Sequence, residues 1–156
     1  MKTLVLYATK HGAAREIAQR IAKRIDGATI HDLKQGGTPA LTESDCVIIG
    51  SSLYAGSIRK EAKAFLAQHA DALRGKRLGL FLCGLDESKV QEYFKANFSP
   101  DTLQSAAATS FLGGIFDPKK AGFMGRLVMK AVAKKSGYID TIDDNKVAQL
   151  VEDMRA

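Results

Sequence analysis

The sequence predicts an α/β fold: a doubly wound, five-stranded parallel sheet with helices on both faces, three layers in a single domain over residues 1–156. Three observations carry that expectation. Strand-like apolar runs alternate with amphipathic helical stretches along the whole chain. The inner runs, Cys46-Val47-Ile48-Ile49-Gly50 and Leu78-Gly79-Leu80-Phe81-Leu82-Cys83, are continuous rather than alternating, as in strands covered on both faces. Glycine or small polar residues follow the first, third and fourth runs. Ligands of such sheets bind at the carboxyl ends of the strands, near the reversal of strand order.

The first strand is expected over residues 3–8. From Ala13 to Ile25, Ile17, Ile21 and Ile25 recur every four residues with Ala18 and Ala22 beside them, an amphipathic helix that Gly27 ends. Ala28 to Leu33 reads as a short second strand. Lys34 to Ser44 is mainly loop, with room for a short helical turn. The third strand, Cys46 to Gly50, leads into a polar loop from Ser51 to Ser57. A helix is expected from Ile58 to Leu73, closed by Gly75. The fourth strand, Leu78 to Cys83, leads into a loop from Gly84 to Ser88. Val90, Tyr93, Phe94 and Phe98 mark another helix, ended by Ser99-Pro100. Ala107 to Leu112 is the fifth strand. The remainder reads as helical, from Gly122 to Lys135 and from Asp144 to Met154.

Composition bounds the class. The chain has 156 residues, 46% hydrophobic and 26% charged, ordinary for a globular domain. No apolar run approaches the length that crosses a membrane, and the first is too short for a signal-peptide core, so the chain reads as cytosolic. Cys46 and Cys83 are too few and too isolated for a disulfide framework or a zinc site, and read as buried thiols. No metal site is expected. The net charge of +6 permits an anionic partner without choosing one.

The stretch Thr9-Lys10-His11-Gly12-Ala13-Ala14 joins the first strand to the first helix. Such a turn leaves backbone N–H groups and the positive end of a helix dipole facing outward, which suits a phosphate. Gly12 allows the positive φ the turn needs. Thr9, Lys10 and His11 add side-chain donors. The bland reading is an ordinary strand-to-helix turn.

The segment Leu6 to Glu16, L-Y-A-T-K-H-G-A-A-R-E, resembles the phosphate loop of the flavodoxin family, T/S-x-T-G-x-T, with Thr9, His11, Gly12 and Ala14 at motif positions. The last threonine of the motif is Ala14 here and the middle one is His11. The likeness runs over nearly the whole chain. I-G-S-S-L-Y-A-G at residues 49–56, S-F-L-G-G-I-F-D-P at 110–118 and L-V-M-K at 127–130 further resemble the menaquinone-dependent protoporphyrinogen dehydrogenases of that family.

The resemblance implies a flavodoxin-like fold and non-covalent FMN. It places the phosphate on Thr9, Lys10, His11, Gly12, Ala13 and Ala14. The ring falls between Ser51, Ser52, Leu53, Tyr54, Ala55 and Gly56 on one side and Cys83, Gly84, Leu85 and Asp86 on the other. Tyr54 is the candidate aromatic neighbour of the ring, its bland reading being a surface or core-edge tyrosine. Gly56 and Gly84 let backbone approach it. Asp86 is expected either near the ring or, more simply, capping the helix that follows. The flavin does the redox chemistry, so no side-chain acid or base is expected.

Lys119, Lys120, Arg126, Lys130, Lys134 and Lys135 flank apolar residues in a cationic amphipathic stretch. It reads as a surface helix of the domain, as a contact with an anionic membrane on the inner face, or as a dock for an acidic redox partner. Nucleic acid is not an expected partner, since base-stacking aromatics are not interleaved with the cations. Three functions follow: an electron carrier between a donor and a partner, a porphyrinogen dehydrogenase that reduces a quinone at the membrane surface, and a binding module of the same fold without FMN.

Overall fold

The computed structural model describes residues 1–37, 41–119 and 137–155. Five parallel strands form the central sheet: β1 (Thr3–Ala8), β2 (Thr29–Asp32), β3 (Cys46–Tyr54), β5 (Arg77–Cys83) and β6 (Ala106–Phe111). Their spatial order is β2-β1-β3-β5-β6. The winding therefore reverses between β1 and β3, whose register pairs Leu4 with Val47 and Ala8 with Ser51. Every residue of β1 is buried, which explains its unbroken apolar run, while β2 at the sheet edge is largely exposed.

The two faces carry separate cores. Val5, Tyr7, Ile48, Phe81 and Cys83 pack against α1 (Ala13–Ala22) and α6 (Asp144–Arg155). Leu4, Leu6, Val47, Ile49, Leu80 and Leu82 pack on the other side. There they meet α2 (Lys60–Gln68), the single turn α3 (Ala70–Leu73) and α4 (Val90–Asn97). The isoleucine spacing of α1 puts Ile17 and Ile21 at the sheet, both fully buried. The three-layer expectation holds.

Several expected boundaries move. The loop expected from Ser51 to Ser57 is a continuation of β3 to Tyr54, a two-residue turn, and the short strand β4 (Ser57–Ile58), which runs antiparallel to β3. The sheet captures Ser51 and Ser52 through backbone pairing with Leu82 and Cys83, so their small polar side chains do not break the strand. The helix expected from Ile58 begins at Lys60, because Ile58 is buried as a strand residue. It is interrupted at His69, whose ring packs 4.5 Å from that of Phe65. Helix α1 stops at Ala22 rather than Ile25.

Ser99-Pro100 ends one helix and begins another, α5 (Pro100–Ser105). Ser99 caps it by accepting from the Thr102 N–H, and proline at the first helical position costs no hydrogen bond. The tail is not wholly helical: β7 (Ile115–Phe116) and β8 (Ile139–Asp140) form an antiparallel pair before α6. The expected helix from Gly122 to Lys135, with most of the cationic stretch, lies outside the described residues, as do residues 38–40. Among the described residues no helix is long and apolar enough to cross a membrane.

Candidate functional site

The loops after β1, β3 and β5 meet at the carboxyl edge of the sheet, where the order of strands reverses. The first loop is set by Gly12. Its φ of 103° lies in the region L-residues avoid, and its N–H donates to Thr9 Oγ1 at 2.8 Å. Helix α1 starts immediately after, and Gly12 O accepts from the Glu16 N–H at 3.0 Å. The amides of Ala13, Ala14 and Arg15 have no acceptor within the helix, as in the first turn of any α-helix. The side chains of Ala13 and Ala14 point into the core, at 7% and 0% exposure. These two positions therefore offer backbone donors alone. Lys10 and His11 are exposed.

The first and second loops are hooked together. The Lys10 N–H donates to Ser52 Oγ at 3.1 Å, and Lys10 Nζ lies 3.3 Å from the centroid of the Tyr54 ring. Tyr54 is 56% exposed, an unusual setting for a large ring in a strand end. Ser51 turns the other way. Its hydroxyl donates to Ser52 O and accepts from the Arg59 N–H, each at 2.9 Å, so it braces the base of the hairpin. Leu53 packs into the core face shared with Phe111. Ala55 and Gly56 form the turn with φ of 50° and 78°, the two positive values of a type I′ hairpin.

In the third loop, Cys83 is buried and its thiol is pushed up by desolvation, which makes it an inert core thiol. The Gly84 N–H donates to Gly113 O at 3.0 Å. Donors toward a ligand must then come from Leu85 onward. Asp86 does not cap α4, which starts at Val90 behind Lys89. Its carboxylate instead accepts from the Ser88 N–H at 2.9 Å, from the Ser88 hydroxyl, and from the Tyr93 hydroxyl at 3.3 Å. The Ser88 hydroxyl, then its amide, hold the Asp86 carboxyl below the usual carboxylate range.

Two features had no counterpart in the sequence reading. A cleft of about 370 Å³ lies beside the first loop, between His11, Gly12, Glu16 and Arg20 of one wall and Ile115, Tyr138 and Asp140 of the other. A larger groove of about 420 Å³, lined by Leu66, Leu73, Leu78 and Thr102, sits at the amino ends of the strands, away from all three loops. The loops, not the larger groove, combine donors, an exposed ring and a cation. That arrangement can bind an anion at the first loop and a flat ring between the second and third. Among the described residues no three His, Cys, Asp or Glu side chains gather as a metal site.

A family model described as "Flavodoxin domain" matches residues 4–142. Protoporphyrinogen IX dehydrogenase (quinone) from Escherichia coli K12 is 23% identical over 150 residues, spanning 88% of this chain and 81% of that protein. Among solved structures, a flavodoxin from Streptococcus pneumoniae TIGR4 superposes with a TM-score of 0.63 at 16% identity, over 99% of this chain and 98% of that one. A Fusobacterium nucleatum flavodoxin bound to flavin mononucleotide gives 0.52 at 15% identity, over 70% of this chain and 68% of that one. At these identities the structural likeness establishes the fold.

Proposed function

The chain belongs to the flavodoxin domain family, and we propose that it binds FMN and carries electrons between a donor and a redox partner. One observation supports this most: the coupling of Lys10 to both Ser52 and Tyr54, which joins an anion-binding turn to an exposed aromatic ring at the reversal of the sheet. The residues present fit the cofactor. The first-turn amides of α1, the Thr9 hydroxyl and the Lys10 ammonium would hold the phosphate. Ala14 contributes no hydroxyl there, and Lys10 supplies charge in its place. The Tyr54 ring would cover one face of the flavin, with Gly56 at its edge. Leu85 and Asp86 would approach from the third loop, with Gly84 setting the turn behind them.

FMN, when bound, supplies reversible transfer of one or two electrons. The protein's part is to hold the ring, limit its contact with water and set the polarity around it. No side-chain acid or base is assigned. The proposed unit is the single domain 1–156, in the cytoplasm, with no nucleic-acid partner.

A second reading is favoured by the Escherichia coli relative, whose name states a quinone-linked porphyrinogen oxidation. On that reading the cationic stretch 119–135 meets the anionic inner face of a membrane, where a quinone resides. Coupled assay of porphyrinogen oxidation with quinone reduction, in the presence of anionic liposomes, separates it from the carrier. Activity favours the enzyme, and flavin binding without it favours the carrier. The binding-module reading stands only if the chain takes up no FMN.

A further inference from the structure

We infer that Asn97, at the end of α4, positions the hairpin that carries Tyr54 against the cofactor ring; the inference rests on the FMN reading above. One side-chain amide makes three hydrogen bonds. Asn97 Oδ1 accepts from the Ile58 N–H at 2.9 Å. Asn97 Nδ2 donates to Gly56 O at 2.9 Å and to Tyr93 O at 2.8 Å. Both N–H donors of the amide are committed, one to the hairpin and one to its own helix.

The hairpin needs this support. Its return strand is the two residues Ser57–Ile58, paired with Leu53 and Tyr54. So short a ribbon is not stable by itself. Its turn also contains Ala55 at a φ of 50°, a conformation that persists only when the surroundings impose it. Asn97 grips both sides of that turn's exit, the carbonyl of Gly56 and the amide of Ile58.

Tyr93, one helical turn earlier, lies beneath the same turn. A Cβ built at Gly56 would stand 3.7 Å from its ring, and its hydroxyl donates to Asp86 in the third loop. Helix α4 thus fixes the spacing between the two walls assigned to the flavin. Asn97 spends its side-chain hydrogen bonds among the described residues on the hairpin and on its own helix, so its role is positioning. The nearest acceptor of a conservative kind is aspartate, which keeps the bond from Ile58 and loses both donors.

The test uses the full chain stripped of flavin, in wild-type form and as Asn97→Ala and Asn97→Asp. FMN and riboflavin are titrated separately, and hydrogen exchange at the Ile58 amide is followed without ligand. Asn97→Ala is expected to raise both dissociation constants about tenfold, leave their ratio unchanged and expose the Ile58 amide. Asn97→Asp is expected to weaken both ligands while keeping Ile58 better protected than in Asn97→Ala. Dissociation constants within about twofold of wild type in both variants overturn the inference. So does a loss confined to FMN, which would place the effect at the phosphate. A wild-type chain that binds neither ligand refutes the FMN reading and the inference with it; wild-type binding with unchanged variants refutes the inference alone.

Discussion

Lys10 Nζ stands 3.3 Å from the centre of the Tyr54 ring, so the cation of the first loop rests on the aromatic ring of the second. At an exposed site a cation–π contact is worth about 0.5–1 kcal/mol, less than the ~1.5–3 kcal/mol of a hydrogen bond to a charged group. A dianionic phosphate beside α1 would therefore draw the ammonium off the ring and leave Tyr54 open to stack. Lys10→Gln keeps the length and loses the charge. It is expected to weaken FMN about fivefold to tenfold and to flatten the salt dependence of binding, both read by fluorescence titration at two ionic strengths. Unchanged affinity and an unchanged salt slope would remove Lys10 from the phosphate site.

Gly12 combines a φ of 103° with a place at the start of α1. Gly12→Asp forces a side chain into that conformation and sets a negative charge where the phosphate is assigned. FMN binding is expected to vanish while the far-ultraviolet circular dichroism stays that of the wild type. Retained affinity would move the phosphate elsewhere.

Ala55 holds a φ of 50° in a turn whose first position favours asparagine. Ala55→Asn is expected to stabilise the chain by about 0.5–1 kcal/mol, raising Tm by about 1–4 °C. Calorimetry checks this. A lower Tm would mean that the asparagine side chain clashes with the packing of Gly56 on Tyr93.

Asp86 gives the third loop a pH dependence. Hydrogen bonds from the Ser88 hydroxyl and amide favour its charged form, so its carboxyl titrates below its unfolded value of about 3.9. The support it gives the loop is fully present above that value and is lost as pH falls through the lowered folded value. The Ser88 amide resonance, followed by NMR, is expected to shift with a midpoint below about 3.9. A midpoint at or above that value, or no shift, contradicts the turn.

The sheet was legible in the sequence because parallel strands buried on both faces read as unbroken apolar runs, and β1, β3 and β5 are three of them. The turn at Thr9–Gly12 was legible because glycine and polar residues stand between an apolar run and a helical pattern. The hairpin was not, because Ser51 and Ser52 look like loop residues until their backbone pairing with β5 is known. Ala55 also lacks the Asn-Gly signature of its turn. The role of Asn97 was not legible, although one of its bonds is local, to Tyr93 O in the same helix. Its partners Gly56 and Ile58 lie 41 and 39 residues away, beyond any motif that spacing along a strand or helix can reveal. The β7–β8 pair was hidden likewise, as two residues against two across a long intervening stretch. Of the two roles the sequence allows Asp86, near the ring or capping the helix that follows, the cap is not made, because the Asx turn to Ser88 claims its carboxylate first.

We propose that the three loops hold FMN. The most direct measurement of this is the visible absorbance spectrum of the purified chain, followed by titration of the stripped chain with FMN. Two flavin bands and saturable binding at or below micromolar FMN are expected. A colourless protein with no affinity at micromolar FMN would contradict this, and would mean that a first loop with His11 and Ala14 in place of hydroxyl residues does not hold the phosphate.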